Sequence, residues 1–405
     1  MSIEMIETDA FQSGTLIKVI GVGGGGGNAV DHMIARQVQG VEFISANTDA
    51  QALSHTSATV TIQLGTSGLG AGSKPEKGRE AAEAAEDDLR QILRGAHMLF
   101  ITAGMGGGTG TGAAPIIARI AKGMGILTVA VVTKPFEWEG SRRMANAETG
   151  LVELEASVDS LVVVLNEKLQ EVLGDDVTQE EAFAQANDVL RNAVGGIAEI
   201  INDHGLINVD FEDVRTVMSE PGKAMMGTAA ANGPDRARIA AEQAVACPLL
   251  EGIDLSGARG VLVLITASKG SLKLNETKEV MNTIRAYASS EANIKFGAAY
   301  DDSLGQDIRV TVVATGLSRQ QQARRQPITV VQGGLRTGTD NVPFVLPATS
   351  NASTDVPYDP AKLPRVWTSG RTGVNRTQAA AKVDALALGG MDDLEIPAFL
   401  RKQAD

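Results

Sequence analysis

Glycines, in three clusters, are the residues of this sequence whose spacing best suits chemistry. The first cluster runs Gly21, Val22, Gly23, Gly24, Gly25, Gly26, Gly27, Asn28 and follows a short apolar, β-branched run. Without a Cβ, backbone N–H groups can approach an anion closely, and a helix N-terminus behind them adds partial positive charge. Gly21, Gly23 and Gly26 match G-x-G-x-x-G, so this loop alone would equally suit a dinucleotide-binding Rossmann domain. The next strand, however, ends in Ala46, Asn47, Thr48 and Asp49, with no acid at the ~20-residue distance of a ribose 2′-OH contact. A second cluster, Gly104, Met105, Gly106, Gly107, Gly108, Thr109, Gly110, Thr111, Gly112, also opens onto a helical pattern. The third is Gly68, Leu69, Gly70, Ala71, Gly72. Two such loops at the carboxyl ends of neighbouring strands can grip linked phosphates, and the third can close over the terminal one. The Gly222–Lys223 pair lacks a glycine five positions earlier, which disfavours a Walker A loop.

The elements that must hold these loops follow from periodicity. Strands are expected at Leu16–Ile20, Val41–Ala46, Val60–Leu64, Met98–Thr102, Ile126–Thr133 and Leu161–Leu165. Helical patterns such as Pro75–Arg94 and Gly110–Lys122 lie between them. The alternation predicts an α/β fold with a parallel sheet covered on both faces. A helix starting near Asn28 is expected after the first loop. A long helical pattern, Thr178–Asp203, then joins two lobes; it is long enough to cross a whole domain. The second lobe is expected to be α+β, with helices near Phe211–Ser219, Asp235–Ala246 and Asn275–Ser289. Its strands are expected at Gly260–Ala267, Ile294–Ala299 and Ile308–Thr315. Residues 319–388 hold nine Lys and Arg against four Asp and Glu and show no sustained period, the composition of a disordered linker. A short tail peptide, Asp392–Lys402, then sets Leu394, Ile396, Phe399 and Leu400 among charges, a pattern that suits partner recognition.

The remaining composition removes several function classes. The 43% apolar fraction with only 3% aromatics fits a core of small aliphatic side chains. A net charge of −13 argues against a general nucleic-acid binder, which needs a basic stripe. The single cysteine, Cys247, cannot form an internal disulfide and suits a reducing cytosol as a small buried hydrophobe. His32, His55, His97 and His204 are scattered without metal-ligand spacing. No apolar run approaches the ~18 residues that would span a bilayer. The start, with Glu4, Glu7 and Asp9, lacks the basic opening of a signal peptide, so a cytoplasmic protein without direct membrane insertion is expected.

Gly106-Gly107-Gly108-Thr109-Gly110-Thr111-Gly112 resembles the signature of the tubulin/FtsZ GTPase family. With Gly21–Asn28, Val132–Phe136 and Asn208–Asp213, the resemblance narrows to the family's bacterial cell-division members and covers about residues 16–317. It implies a tubulin-like organisation. The expected parts are a flexible segment (1–15), a GTP-binding domain (16–177), a central helix (178–203) and a GTPase-activating domain (204–318). A linker (319–388) and a partner-binding peptide (389–405) complete it. By resemblance, Gly24, Gly25, Gly26, Gly27 and Asn28 hold the phosphates of GTP or GDP on one side. Gly107, Gly108, Thr109 and Gly110 hold them on the other, with Ala71 and Gly72 near the γ-phosphate. Asn47 and Asp49 would border Mg²⁺ and its waters, an ion that neutralises charge on the β and γ oxygens. Thr133, Pro135, Glu139 and Arg143 would touch the ribose and α-phosphate region. Guanine needs acceptors for N1–H and N2–H₂ and a donor for O6. By position Asn166, Asn187 and Asp188 suit that task, although a strand-end turn residue and exposed helix residues are the plainer readings.

No carboxylate in this set is well placed to orient an attacking water. Asp210 and Asp213 are candidates, but the length of the intervening helix carries them to the far end of the nucleotide domain. They could then reach only a neighbouring molecule's γ-phosphate. The family resemblance implies the same for the loop carrying Asn208, Asp210 and Asp213, with Asp210 also suited to cap the next helix. The expectation is a head-to-tail homopolymer at a mid-cell division ring, its GTPase site completed by the adjacent subunit. Membrane-anchored division adaptors and assembly regulators would bind the tail peptide. Three rivals compete: an NAD-dependent oxidoreductase, a plasmid-partition filament of the same fold, and a polymer that binds nucleotide without hydrolysing it.

Overall fold

The computed structural model describes residues 14–173, 177–202, 206–246 and 257–317. Apolar, β-branched runs form the strands β1 (Ile17–Val22), β2 (Val41–Asn47), β3 (Val60–Gln63), β4 (Met98–Gly104), β5 (Leu127–Lys134) and β6 (Ser160–Leu165). The helices among them are α1 (Gly23–Ala35), α2 (Ala50–Ser54), α3 (Pro75–Ala84), α4 (Glu86–Leu93), α5 (Thr109–Gly123) and α6 (Ser141–Ser157). Then come α7 (Asn166–Leu173), α8 (Gln179–Asn202), α9 (Phe211–Met218), β7 (Lys223–Ala231) and α10 (Arg236–Val245). The last elements are β8 (Gly260–Ala267), α11 (Leu274–Tyr287), β9 (Asn293–Tyr300) and β10 (Ile308–Leu317).

All ten strands form one sheet in the order β3-β2-β1-β4-β5-β6-β7-β10-β8-β9. The first six run parallel. β7 continues in parallel through Leu161↔Lys223 and Val162↔Ala224, and this short contact is the seam between the two halves. β10 lies antiparallel to both β7 and β8, and β9 is parallel to β8. Alternation along β4 shows how both faces are buried. Met98 and Phe100 join a core with α1 and α8, whereas Leu99 and Ile101 join one with α3, α4 and α5. A third core lies under α10 and α11.

Three differences from the sequence reading have physical causes. The five successive glycines are not a loop preceding a helix at Asn28; they are the first turn and more of α1. Backbone crowding, not side-chain propensity, sets this start, because a Cβ at Gly26 would lie 2.3 Å from the Thr102 carbonyl oxygen. The stretch Pro75–Arg94 is two helices broken at Ala85, and the apolar stripe of Ala82, Ala85, Leu89 and Leu93 stays buried across the break. Finally β7, Lys-Ala-Met-Met-Gly-Thr-Ala-Ala-Ala, was not anticipated, because alanine favours helix and only pairing with β10 over seven successive positions makes it a strand. α8 spans 24 residues, about 36 Å. The expected linker and tail peptide, Cys247, His204 and Asp203 lie outside the described residues, as does most of the expected N-terminal segment.

Candidate functional site

Two helix N-termini meet at the carboxyl edge of the sheet. α1 begins directly after β1 and α5 directly after the turn that follows β4, and neither carries a side-chain cap on its first N–H groups. Uncapped N–H groups of long helices need an acceptor, and the aligned dipoles favour an anion. The two loops interlock: a Cβ at Gly23 would sit 2.9 Å from the Gly110 backbone nitrogen, and one at Gly25 would sit 3.1 Å from the Gly104 Cα. Gly24 and Gly107 differ, since a Cβ there meets no atom within 4 Å, so both present bare backbone to open space. Thr111 Oγ1 accepts from Gly106 N at 2.8 Å and fixes the second loop.

That open space is a cleft of about 500 Å³. Its phosphate end is walled by Gly24, Gly25, Asn28, Gly107, Gly108, Thr109 and Gly110. Thr133, Pro135, Glu139 and Arg143 form its middle, and Asn166, Phe183, Asn187 and Leu190 its far end. Glu139 is the one carboxylate on the wall among the described residues. It accepts from Phe136 N at 2.9 Å and pairs with Arg143, so it is already committed. Asn166 is 4% exposed, and its Oδ1 is buried without a hydrogen-bond partner, although buried polar atoms are nearly always satisfied. Asn166 thus sets an unmet acceptor at the end of the cleft opposite the glycine loops.

Other expected residues stand behind this wall. Gly26 and Gly27 turn away within α1, toward the Thr102 carbonyl and Ser45 Oγ. Ala71 backs Gly108, where an added Cβ would come within 2.8 Å of the Ala71 Cβ, while Gly72 takes a positive φ of 58° in the same turn. Ser73, not anticipated, reaches the wall instead. Asp188 also points elsewhere: one residue turns a helix by about 100°, so Asn187 faces the cleft while Asp188 meets α1. There it contacts His32 Nε2 at 2.9 Å and Arg36 at 3.6 Å. Phe183, Ala186 and Leu190 also line the cleft, although within the helical pattern Thr178–Asp203 they look like ordinary apolar positions. The signal lay in their spacing, since Phe183 is one turn before Asn187. Phe183 packs edge-on against Phe136 at 5.7 Å, and Phe136 stacks on Trp138.

Asn47 and Asp49 lie beside the phosphate end, where Thr48 Oγ1 and Thr109 Oγ1 share a 2.6 Å hydrogen bond. Asn47 Oδ1 accepts from Asp49 N, and Asp49 Oδ1 accepts from Gln51 N and Ala52 N as the cap of α2. Among the described residues there is no cluster of three or more acidic, His or Cys ligands. One carboxylate with an amide cannot cage an ion. The donor set does fit Mg²⁺ carried by phosphate oxygens and waters, the usual manner for this cation.

The carboxylates Asp210 and Asp213 are not in the cleft. Asp210 caps α9, its Oδ1 accepting from Asp213 N at 2.7 Å. α9 sits at the other edge of the parallel sheet. Phe211 contacts the ring of His97, just before β4, and Arg215 Nη2 donates to the Gly125 carbonyl, just before β5, at 3.4 Å. The glycine loops start where β1 and β4 end, so the length of β4 separates them from α9, about 20 Å. Asn208 lies in the segment leading to α9.

The GTPase domain of the tubulin/FtsZ family matches residues 16–174, and the C-terminal domain of the FtsZ family matches residues 222–318. The chain is 50% identical over 403 residues to the cell division protein FtsZ of Azotobacter vinelandii, covering 98% of this chain and 99% of that one. It is 51% identical over 405 residues to the FtsZ of Pseudomonas putida, covering 98% and 99%. Among solved structures, an empty FtsZ dimer from M. jannaschii aligns with a TM-score of 0.71 at 42% identity, over 76% of this chain and 90% of that one. A GTPγS-bound CetZ2 protofilament from Haloferax volcanii shares the fold at 21% identity, with a TM-score of 0.66 over 76% and 95%.

Proposed function

The chain belongs to the tubulin/FtsZ family of GTPases and to its cell-division branch, and from that membership we propose that its GTPase site is shared between successive subunits of a head-to-tail filament. The observation that supports this reading is the separation of the cleft from the carboxylates. The cleft has two uncapped helix N-termini for phosphates and an unmet acceptor for a base, yet its one wall carboxylate, Glu139, is engaged. Asp210 and Asp213 occupy the opposite edge of the same sheet. A subunit stacked carboxyl edge to amino edge would bring them to its neighbour's phosphate end.

Exposed apolar side chains lie at both places. Leu69, beside the phosphate mouth, is 88% exposed, and Leu206, beside the carboxylate loop, is 61% exposed. Their burial against a neighbour would favour assembly. The contact is heterologous, so it propagates as a filament rather than closing as a pair.

At the junction the α1 and α5 amides bind the phosphates, while Asn166 and Asn187 read guanine. Mg²⁺ bound with the nucleotide, next to Asn47 and Asp49, would neutralise charge on the β and γ oxygens. Asp210 and Asp213 of the adjacent subunit orient a water in line with the γ-phosphorus. As the water oxygen bonds to phosphorus, the bond to the β–γ bridging oxygen breaks and GDP leaves with that electron pair. Hydrolysis then weakens the contact that the γ-phosphate supported. The division into a nucleotide domain, a central helix and an activating domain follows these roles. A mid-cell ring, held by membrane-anchored adaptors on the tail peptide, is the cellular setting of this reading.

Mixing two inactive variants tests the sharing. Asp213→Asn keeps the cleft and loses the carboxylate; Gly107→Val keeps the carboxylate and fills the phosphate space. Turnover should return in the mixture, toward about a quarter of the parent rate at equal amounts, because one junction in four pairs an intact cleft with an intact loop. A mixture as inactive as its components would place catalysis within one chain and overturn the reading.

A further inference from the structure

The segment carrying the trans-acting carboxylates is fastened to β9, the edge strand of the sheet, at three points. Leu206 N donates to the Ala298 carbonyl at 2.8 Å and Ala298 N donates to the Ile207 carbonyl at 3.0 Å, a two-bond bridge to the strand. One residue earlier, Gly297 lets Val209 lie flat on the strand, since a Cβ there would come 3.1 Å from Val209 Cγ2. Two residues before that, on the same face of a period-two strand, Lys295 places Nζ 2.7 Å from Asp213 Oδ1.

We propose that Lys295 is the positioning residue for Asp213, fixing the carboxylate that acts on the neighbouring subunit's γ-phosphate. The inference rests on the trans-acting role of Asp213 given above. The chemistry follows from which oxygens are held. Asp210 Oδ1 is committed to the Asp213 amide. The ammonium holds Oδ1 of Asp213, which restricts the rotation of that carboxylate. Lys295 does not touch the nucleotide of its own subunit, because it lies with α9 at the edge of the sheet away from that cleft.

Full-length Lys295→Met, Lys295→Arg, Asp213→Asn and the Lys295→Met/Asp213→Asn double variant decide the matter. The readouts are GTP turnover at saturating GTP, GDP affinity, and sedimentable polymer at matched protein concentration. Lys295→Met should lower turnover per polymerised subunit by at least about tenfold, toward the ~100-fold cost of a group displaced by about 1 Å, with GDP affinity unchanged. Lys295→Arg should restore most of the rate. The double variant should be no slower than Asp213→Asn alone. Turnover within twofold of the parent for Lys295→Met, a loss that merely tracks lost polymer, or an additive double variant would each overturn the proposal. Asp213→Asn separates the two levels of argument: full turnover there removes the trans-acting reading itself. An inactive Asp213→Asn beside a normal Lys295→Met removes only the role of Lys295.

Discussion

Asn166→Ala is expected to weaken nucleotide binding while costing the empty protein little, an uncommon combination for a residue only 4% exposed. Truncating a buried polar side chain usually destabilises because a partner is left unpaired. Here Oδ1 makes no hydrogen bond within the protein, so its removal breaks none. The stability loss should stay below about 1 kcal/mol. With GDP bound, the same oxygen would accept from the base edge in a site closed to water. Losing that bond should cost about 1–3 kcal/mol, roughly 5- to 150-fold in affinity. Calorimetric titration with GDP and with ADP gives the affinity side, and thermal unfolding with and without saturating GDP gives the stability side. The effect should be large for GDP and small for ADP, whose base edge offers a different donor pattern. If GDP affinity stayed within twofold of the parent, or if the empty protein lost as much stability as the GDP-bound one, Asn166 would be a strand-end structural residue. The assignment of guanine to that end of the cleft would then fail.

Gly24→Val should abolish detectable GTP binding with the nucleotide-free protein's unfolding temperature preserved, because a Cβ at this position meets no protein atom within 4 Å. Gly26→Ala should instead lower stability, by about 1–3 kcal/mol of overpacking against the Thr102 carbonyl, as thermal unfolding will show. Asp188→Asn should leave GDP affinity within about threefold while loosening the α1–α8 contact by about 1 kcal/mol, whereas Asn187→Ala should weaken GDP at least tenfold; titration of both variants checks the contrast. Arg236, 6% exposed, binds Glu276 through Nε at 2.7 Å and holds its carboxyl below the usual range. A depressed folded-state value means the stabilisation is complete above the ordinary carboxylate value of 4.5 and is lost as pH falls through the folded one. Arg236→Met should cost about 3 kcal/mol at neutral pH by stranding the carboxylate. That deficit should shrink below pH 4.5, measured by denaturant unfolding across pH.

The glycine loops were legible because backbone approach leaves few alternatives to glycine, and three clusters behind strands can hardly serve anything but an anion. The parallel order was legible from apolar runs alternating with helices. The far wall of the cleft was not. Phe183, Ala186 and Leu190 repeat at helical spacing, and that spacing is identical whether a helix faces a core or a cavity. Asn187 and Asp188 are chemically similar neighbours, and only the rotation of α8 decides which of them sees the cleft. β7 was hidden by its alanines, since its conformation is imposed by β10 rather than by its own residues. The position of α9 followed from the length of α8 together with the family resemblance, and its contacts with His97 and Gly125 supply the geometric reason.

One helix carries both halves of the argument. The first half of α8 sets Phe183, Ala186 and Asn187 against the cleft, and its last residue, Asn202, leads into the segment that ends at Asp213. From Asn187 to Asn202 the axis advances about 22 Å, a distance fixed by backbone hydrogen bonds rather than by loop conformation. The far end is fixed as well, by the bridge to Ala298 and the Lys295 pair. The spacing from a subunit's cleft to its own carboxylates is therefore a property of secondary structure. In the proposed filament, that spacing would set the offset between one nucleotide and the next. A residue inserted in α8 would rotate everything beyond it by about 100°. It would disable hydrolysis in the neighbour while leaving the subunit's own nucleotide bound, which a cleft complete within one chain would not require.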